Sequence, residues 1–377
     1  MRRSLYGRAF VGGRLREGTL ITIDENVITD VREAVSAPPD ASPVHGVILP
    51  GFIDVHVHGG DGSDFMDGSE EAVARVTAFH AAKGTTAVAA TTLSASPQDL
   101  HAAVSAISRV SSLRAPAAAE ICGIHLEGPF INLARAGAQD PSSIRPADIH
   151  ELTSLLDLAP ALRWMVTLAP ELPGARPLME HFRDRVLFSV GHTAADYAEV
   201  IAALEWGAGH FTHLFNAMTG IQHRAPGAVG AAFVSTEATA ELIADGIHVH
   251  HAVLRIAALA MPNRIALISD AVRATGMPEG RYKIYEQEFV VSEGAARLAN
   301  GALAGSVLTM QQAVCNMVEL AGLPLELVVP MATEVPARIL KVHERKGKIA
   351  PGYDADLVVL TDRLTVDRVL VRGRELT

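Results

Sequence analysis

Only two cysteines, Cys122 and Cys315, occur in 377 residues. One falls in an apolar strand-like run and the other in a helix-like segment, which excludes a disulfide framework and fits a reducing cytoplasm. No apolar run is long enough to span a membrane. The Arg2-Arg3 pair is followed by LYGRAFVGGRL, which supplies neither the continuous apolar stretch nor the cleavage site of a targeting signal. Positive charge is also scarce: Lys plus Arg number 32 against 42 Asp plus Glu, a formal net charge of −10. General attraction to nucleic acid or anionic lipid is thereby excluded, and an anionic ligand needs a local cationic pocket. Repeats at solenoid periods and low-complexity segments are absent as well.

What remains is apolar, with 49% hydrophobic residues, enough for a barrel-sized core and a modest appendage. Residues 1–49 alternate apolar and polar positions (GRAFVGGRL, GTLITIDENVITDVRE), and the last stretch, GKIAPGYDADLVVLTDRLTVDRVLVRGREL, has the same texture. Neither end alone buries much. Segments 1–49 and 345–377 are therefore expected to pair into one small β-sandwich domain beside a central body, 50–344. In that body eight apolar runs, ILPGFIDVHV, TAVAATTL, ICGIHLE, WMVTLA, VLFSVG, HFTHL, ELIADG and IALISD, alternate with Ala-rich helical segments. The alternation predicts an α/β fold with a parallel sheet. Eight units predict a closed (β/α)₈ TIM-like barrel whose active site lies where the strands end. After the eighth run, RYKIYEQEFVVSEG reads as a hairpin insertion and SVLTMQQAVCNMVELAG as a helix on the barrel.

Polar residues close several of these runs, where burial is costly unless they are paired or bound to a cation. His56 and His58, two apart on a strand, face the same side and can grip one ion, although an alternating strand also carries such a pair by chance. Glu127 ends a strand before Gly-Pro; its bland alternative is a carboxylate tied to backbone N–H groups. His192 and His213 taken singly would more often be satisfied core residues. Taken with Glu127 at successive strand ends, they form a His₂Glu set suited to a catalytic divalent ion. Asp270 closes the eighth run, placed as a general base or, in the bland reading, as a helix N-cap.

These stretches, with LEGP, THLFNAM and IADGIHV, resemble the amidohydrolase superfamily and, within it, the N-acetylglucosamine-6-phosphate deacetylase family, over essentially the whole chain including PGYDADLVVL. The resemblance implies a metal-dependent hydrolase of a linear amide in an amino-sugar phosphate, with zinc or iron as one or two ions per subunit. It assigns the main ion to Glu127, His192 and His213, a second to His56 and His58, and acid/base work to Asp270. Ala138, Gln139, Asn216, Ala217, His248, Leu303, Ala304 and Gly305 are implied as substrate contacts. Arg224 in HRAPG is implied to reach the phosphate across a subunit interface, hence a homodimer or higher homo-oligomer. One position departs: after LEGPF the family has Gly-Ala-His or Gly-Thr-His, and here Gln139 follows Gly137-Ala138. Glutamine is never cationic, so Gln139→His is expected to raise the rate. Competing readings are a deacylase of another N-acyl amino-sugar phosphate, a deaminase, and a metal-binding sugar-phosphate sensor; acetate against ammonia release, or binding without hydrolysis, separates them.

Overall fold

The computed structural model describes residues 2–376 except 114, 116 and 286. Four strands, β1 (Arg2–Val11), β2 (Arg14–Asp24), β3 (Val27–Glu33) and β4 (Ala41–Pro50), precede the eight strands of the barrel. The latter are β5 (Phe52–Val57), β6 (Thr85–Thr92), β7 (Glu120–Glu127), β8 (Arg163–Leu168), β9 (Val186–Val190), β10 (Ala208–Phe211), β11 (Thr239–Ile243) and β12 (Ile265–Ile268). Each consecutive pair is parallel, as strands joined by crossovers must be. Among the described residues seven α-helices fall between them: α1 (Glu70–Ala82), α2 (Pro97–Leu113), α3 (Ile149–Leu156), α4 (Ala175–Phe182), α5 (Tyr197–Trp206), α6 (Gly227–Val234) and α7 (His251–Ala260).

Every residue of β5 and β6 is buried, because helices cover one face and barrel side chains fill the other. Helix starts are set by side chains: Ser69 accepts from the Ala72 amide at α1, and Asp196 with Glu199 forms a reciprocal capping box at α5. These caps satisfy amides that the first turn leaves open. β12 and β5 close the ring at its upper end, where the Asp270 amide donates to His56 O and the His58 amide to Ala271 O, both at 2.9 Å. Three site candidates, His56, His58 and Asp270, are thus tied into the closure itself.

The insertion after β12 has one strand more than a hairpin. β13 (Gly280–Ile284), β14 (Gln287–Ser292) and β15 (Ala295–Leu298) form an antiparallel sheet whose Phe289, Val291 and Ala296 pack with Leu93 and Ala304. AARL is too short and too interrupted by Arg297 to read as a strand. Helices α8 (Met310–Glu319), α9 (Leu325–Ala332) and α10 (Glu334–Ile339) lead back to β16 (Leu357–Leu360), β17 (Val366–Val371) and β18 (Arg374–Glu375).

Both chain ends meet in a seven-stranded sheet of order β18-β17-β16-β4-β1-β2-β3. Its alternating residues serve two cores. Val47, Leu49, Val358 and Leu360 join the barrel, while Ile48, Leu357 and Val359 meet Ile21, Ile23 and Ile28 in a core of the sheet's own. Among the described residues no helix is long and apolar enough to cross a membrane.

Candidate active site

Six ligand-type side chains converge at the upper rim of the barrel. His56 lies within β5 and His58 one residue past it; Glu127 closes β7; His192, His213 and Asp270 each sit two residues beyond β9, β10 and β12. The last three have left-handed backbones, with φ of 45°, 28° and 49°. Such strain costs about 1–3 kcal/mol per residue and is retained where it aims a functional side chain. The turn after Glu127 needs glycine: Gly128 has φ 78°, and a Cβ there would lie 2.1 Å from Ser94 Oγ.

Glu127 stands between two histidine pairs. Its Oε1 is 3.2 Å from His192 Nε2 and 3.1 Å from His213 Nε2, and those nitrogens are 3.0 Å apart. On the other side, His58 Nε2 is 3.4 Å from Oε2, His56 Nε2 is 3.5 Å from Oε1, and these two nitrogens are 3.2 Å apart. His192 Nδ1 donates to Arg135 O at 2.7 Å, leaving its Nε2 lone pair for the centre of the group. Ligands bonded at about 2.0–2.1 Å to one tetrahedral ion stand about 3.4 Å from each other. The residues therefore fit a metal ion in either group, with Glu127 common to both.

Asp270 Oδ1 lies 3.3 Å from His56 Nε2 and 3.2 Å from His58 Nε2. Burial alone would raise both carboxyls, but the facing histidines outweigh it, holding Glu127 well below and Asp270 below the usual carboxylate range. Asp270 is thus an anion able to take a proton.

A layer that sequence reading missed orients these groups. Glu241, in the middle of β11, accepts from His56 Nδ1 (2.9 Å), His210 Nε2 (3.1 Å) and the His213 amide (2.9 Å), so His56 turns its Nε2 to the centre. Asp54 accepts from the His56 amide at 3.2 Å and from Ser269, and burial pushes its carboxyl up to about 7. His125 is within ligand distance of His56 and Glu241, yet its ring nitrogens face the hydroxyls of Thr91 and Thr167. Each is a lone polar residue in an apolar run, the signal that marked Glu127, but inside a strand rather than at its end.

A cavity of about 370 Å³ opens above the ligands. His58, Glu127, His192, His213 and Asp270 form its floor, with His56 beneath. Of the expected substrate contacts, Ala138, Gln139, Asn216, Ala217, His248, Leu303 and Gly305 line it. Ala304 is buried behind the wall, and Arg224 is exposed and does not line its own chain's cavity. His248 Nδ1 is fixed by Asp245 at 2.6 Å. Arg135 also lines the cavity, its guanidinium without a hydrogen bond or ion pair among the described residues.

Comparison with known proteins agrees with this geometry. A profile of the amidohydrolase family matches residues 47–376. The chain is 38% identical over 339 residues to an N-acetylglucosamine-6-phosphate deacetylase of Bacillus subtilis (strain 168), covering 88% of this chain and 85% of the relative. It is 37% identical over 329 residues to an N-acetylgalactosamine-6-phosphate deacetylase of Escherichia coli O157:H7, covering 87% of each. A Mycobacterium smegmatis N-acetyl-D-glucosamine-6-phosphate deacetylase mutant, solved in complex with N-acetyl-D-glucosamine-6-phosphate, superposes with a TM-score of 0.93 at 36% identity over 100% of both chains.

Proposed function

The chain belongs to the amidohydrolase family, and from that premise we propose that it deacetylates N-acetylglucosamine 6-phosphate, releasing glucosamine 6-phosphate and acetate. The observation that carries this reading is the meeting of two histidine pairs, a shared Glu127 and Asp270 at the floor of one cavity. Glu127, His192 and His213 would hold a divalent ion, zinc or iron, and His56 and His58 with Glu127 would offer a second position. Such a metal would supply Lewis-acid polarisation of the amide carbonyl and acidify the attacking water near neutral pH. Asp270 accepts the proton of the attacking water and returns it to the amine nitrogen as the C–N bond breaks.

The remaining residues bind and orient the sugar. His248, fixed by Asp245, offers its free ring nitrogen, and the Asn216-Ala217 backbone and the Leu303–Gly305 turn close on the ring. Arg135 supports a phosphorylated ligand in an acidic protein, joined by Arg224 from the second subunit of a homodimer. Residues 50–344 form the hydrolytic barrel and 1–49 with 345–377 the small β-domain, in a cytoplasmic enzyme of amino-sugar catabolism.

The chain is similar to a galactosamine enzyme at 37% identity as well, so the 4-hydroxyl epimer is the comparison substrate. Acetate release from both epimers, on protein of known metal content, tests the assignment: a higher kcat/KM is expected on the gluco sugar. A reversed ranking would move the substrate, and ammonia in place of acetate would sink the deacetylase. Asp270→Asn is expected to keep metal and sugar binding while turnover falls by roughly 10²–10⁴-fold. Near-normal turnover would remove Asp270 from its role.

A further inference from the structure

The geometry points to a second binding site, for a small organic phosphate, at the end of the barrel opposite the mouth. A cavity of about 710 Å³ lies there below β7, β8 and β9, among Glu120, Arg163, Arg185, Lys341 and Arg345 and beside the last turn of α2. Glu120 opens the eight-residue strand that Glu127 closes, so the two cavities are separated by roughly 23 Å of strand.

Four cations face this cavity against one carboxylate, and that carboxylate is already satisfied. Glu120 takes Arg345 Nη2 at 2.7 Å, Arg345 Nη1 at 3.0 Å and Lys346 Nζ at 3.0 Å. Arg163, Arg185 and Lys341 enter no ion pair among the described residues. Arg163 is half-buried; its Nη1 donates to Arg185 O at 3.2 Å, and its Nε is buried without a partner. A guanidinium cannot shed its proton, so a desolvated one lacking a counter-ion is costly. Arg185 and Lys341 are exposed and solvated, but in a chain of formal charge −10 their gathering with half-buried Arg163 around one concavity offers an anion a site. Arginine forks match phosphate oxygens in pairs, while Leu162, Leu340 and Val342 give the carbon part of the ligand an apolar wall. The volume falls within the roughly 300–1,000 Å³ of small-molecule sites.

Calorimetric titration of the full-length, metal-replete protein with inorganic phosphate at low salt tests this site independently of the catalytic reading. Beyond any phosphate taken at the mouth beside Arg135, and with that subsite filled by saturating glucosamine 6-phosphate, the native protein should bind one further phosphate equivalent that the Arg163→Gln/Arg185→Gln double variant binds roughly tenfold more weakly or not at all. Turnover should be unchanged in that variant, since neither residue reaches the mouth. Identical isotherms, or no saturable phosphate binding by the native protein, would overturn the proposal. Should the double variant fail to fold, Lys341→Gln alters only an exposed side chain and is expected to weaken the same equivalent roughly threefold. A native isotherm in that variant would equally overturn it.

Discussion

Gln139 is held by both halves of its amide: Oε1 accepts from the Ser94 amide at 2.6 Å, and Nε2 donates to Glu127 Oε2 at 2.7 Å. Gln287 further ties its backbone carbonyl to the three-stranded insertion at 3.0 Å. The Gln139 side chain positions Glu127, leaving Oε1 for His192 and His213. On this geometry the expectation is opposite to the sequence-based one, in which Gln139 replaces a family histidine and Gln139→His raises the rate. An imidazole cannot place an acceptor at Ser94 and a donor at Glu127 with the same spacing. Gln139→His is expected to lower kcat/KM and to cost about 1–3 kcal/mol of stability through a buried polar group left unpaired, read by steady-state kinetics and thermal melting. A faster, equally stable variant would reinstate the sequence-based reading. The six ligand-type residues were legible because a polar side chain closing an apolar run demands a partner. The left-handed backbones at His192, His213 and Asp270 were not, since GHT, THL and SDA carry no mark of them. Arg135 in LARAG reads as an ordinary surface charge until the fold turns it into the cavity.

At the scale of elements, the eight barrel strands were legible as buried apolar runs set between helical segments, and the ligands followed from where those runs stop. Mid-strand positions were harder, because there a polar residue reads as one more hydroxyl or amide tucked into the ladder. Glu241 is the consequential case. It joins three strands through His56, His210 and the His213 amide, and its carboxylate has only acceptors to offer. Glu241→Gln replaces one acceptor by an NH₂ that opposes those donors, so His56 loses its fixed orientation. Loss of such an outer partner typically weakens metal binding about 10–100-fold. Elemental analysis after dialysis against a chelator should therefore find less metal in Glu241→Gln than in the native protein, with unchanged circular dichroism. Equal metal retention would leave Glu241 as packing alone.

At the scale of the whole molecule, the terminal sheet is fastened to the barrel by one buried cation. Lys346 is only 2% exposed; its Nζ meets Glu120 and Asp354 at 3.0 Å each and also contacts Asp356. Glu120 begins a barrel strand, whereas Asp354 and Asp356 lead into β16, so neither part satisfies the lysine alone. Burial would raise the Glu120 carboxyl, but hydrogen bonds from Arg345 and the charge of Lys346 bring it down from 4.5 to about 2. A folded value below the unfolded one contributes stability that is present above about pH 4.5 and lost as pH falls toward 2, here about 3 kcal/mol. Removing one partner of a buried ion network costs about 3–5 kcal/mol, because the remaining charges are left uncompensated. Lys346→Met, which keeps the length of the stem, is therefore expected to lower the melting temperature at pH 7. It should also shrink the further drop between pH 5 and pH 3, since Glu120 then titrates nearer its unfolded value. Calorimetric scans of both proteins at those pH values would show the two melting temperatures converging in acid. No gap at pH 7 would show that Lys346 does not fasten the sheet, and a constant gap that its effect does not run through Glu120, which Arg345 also pairs.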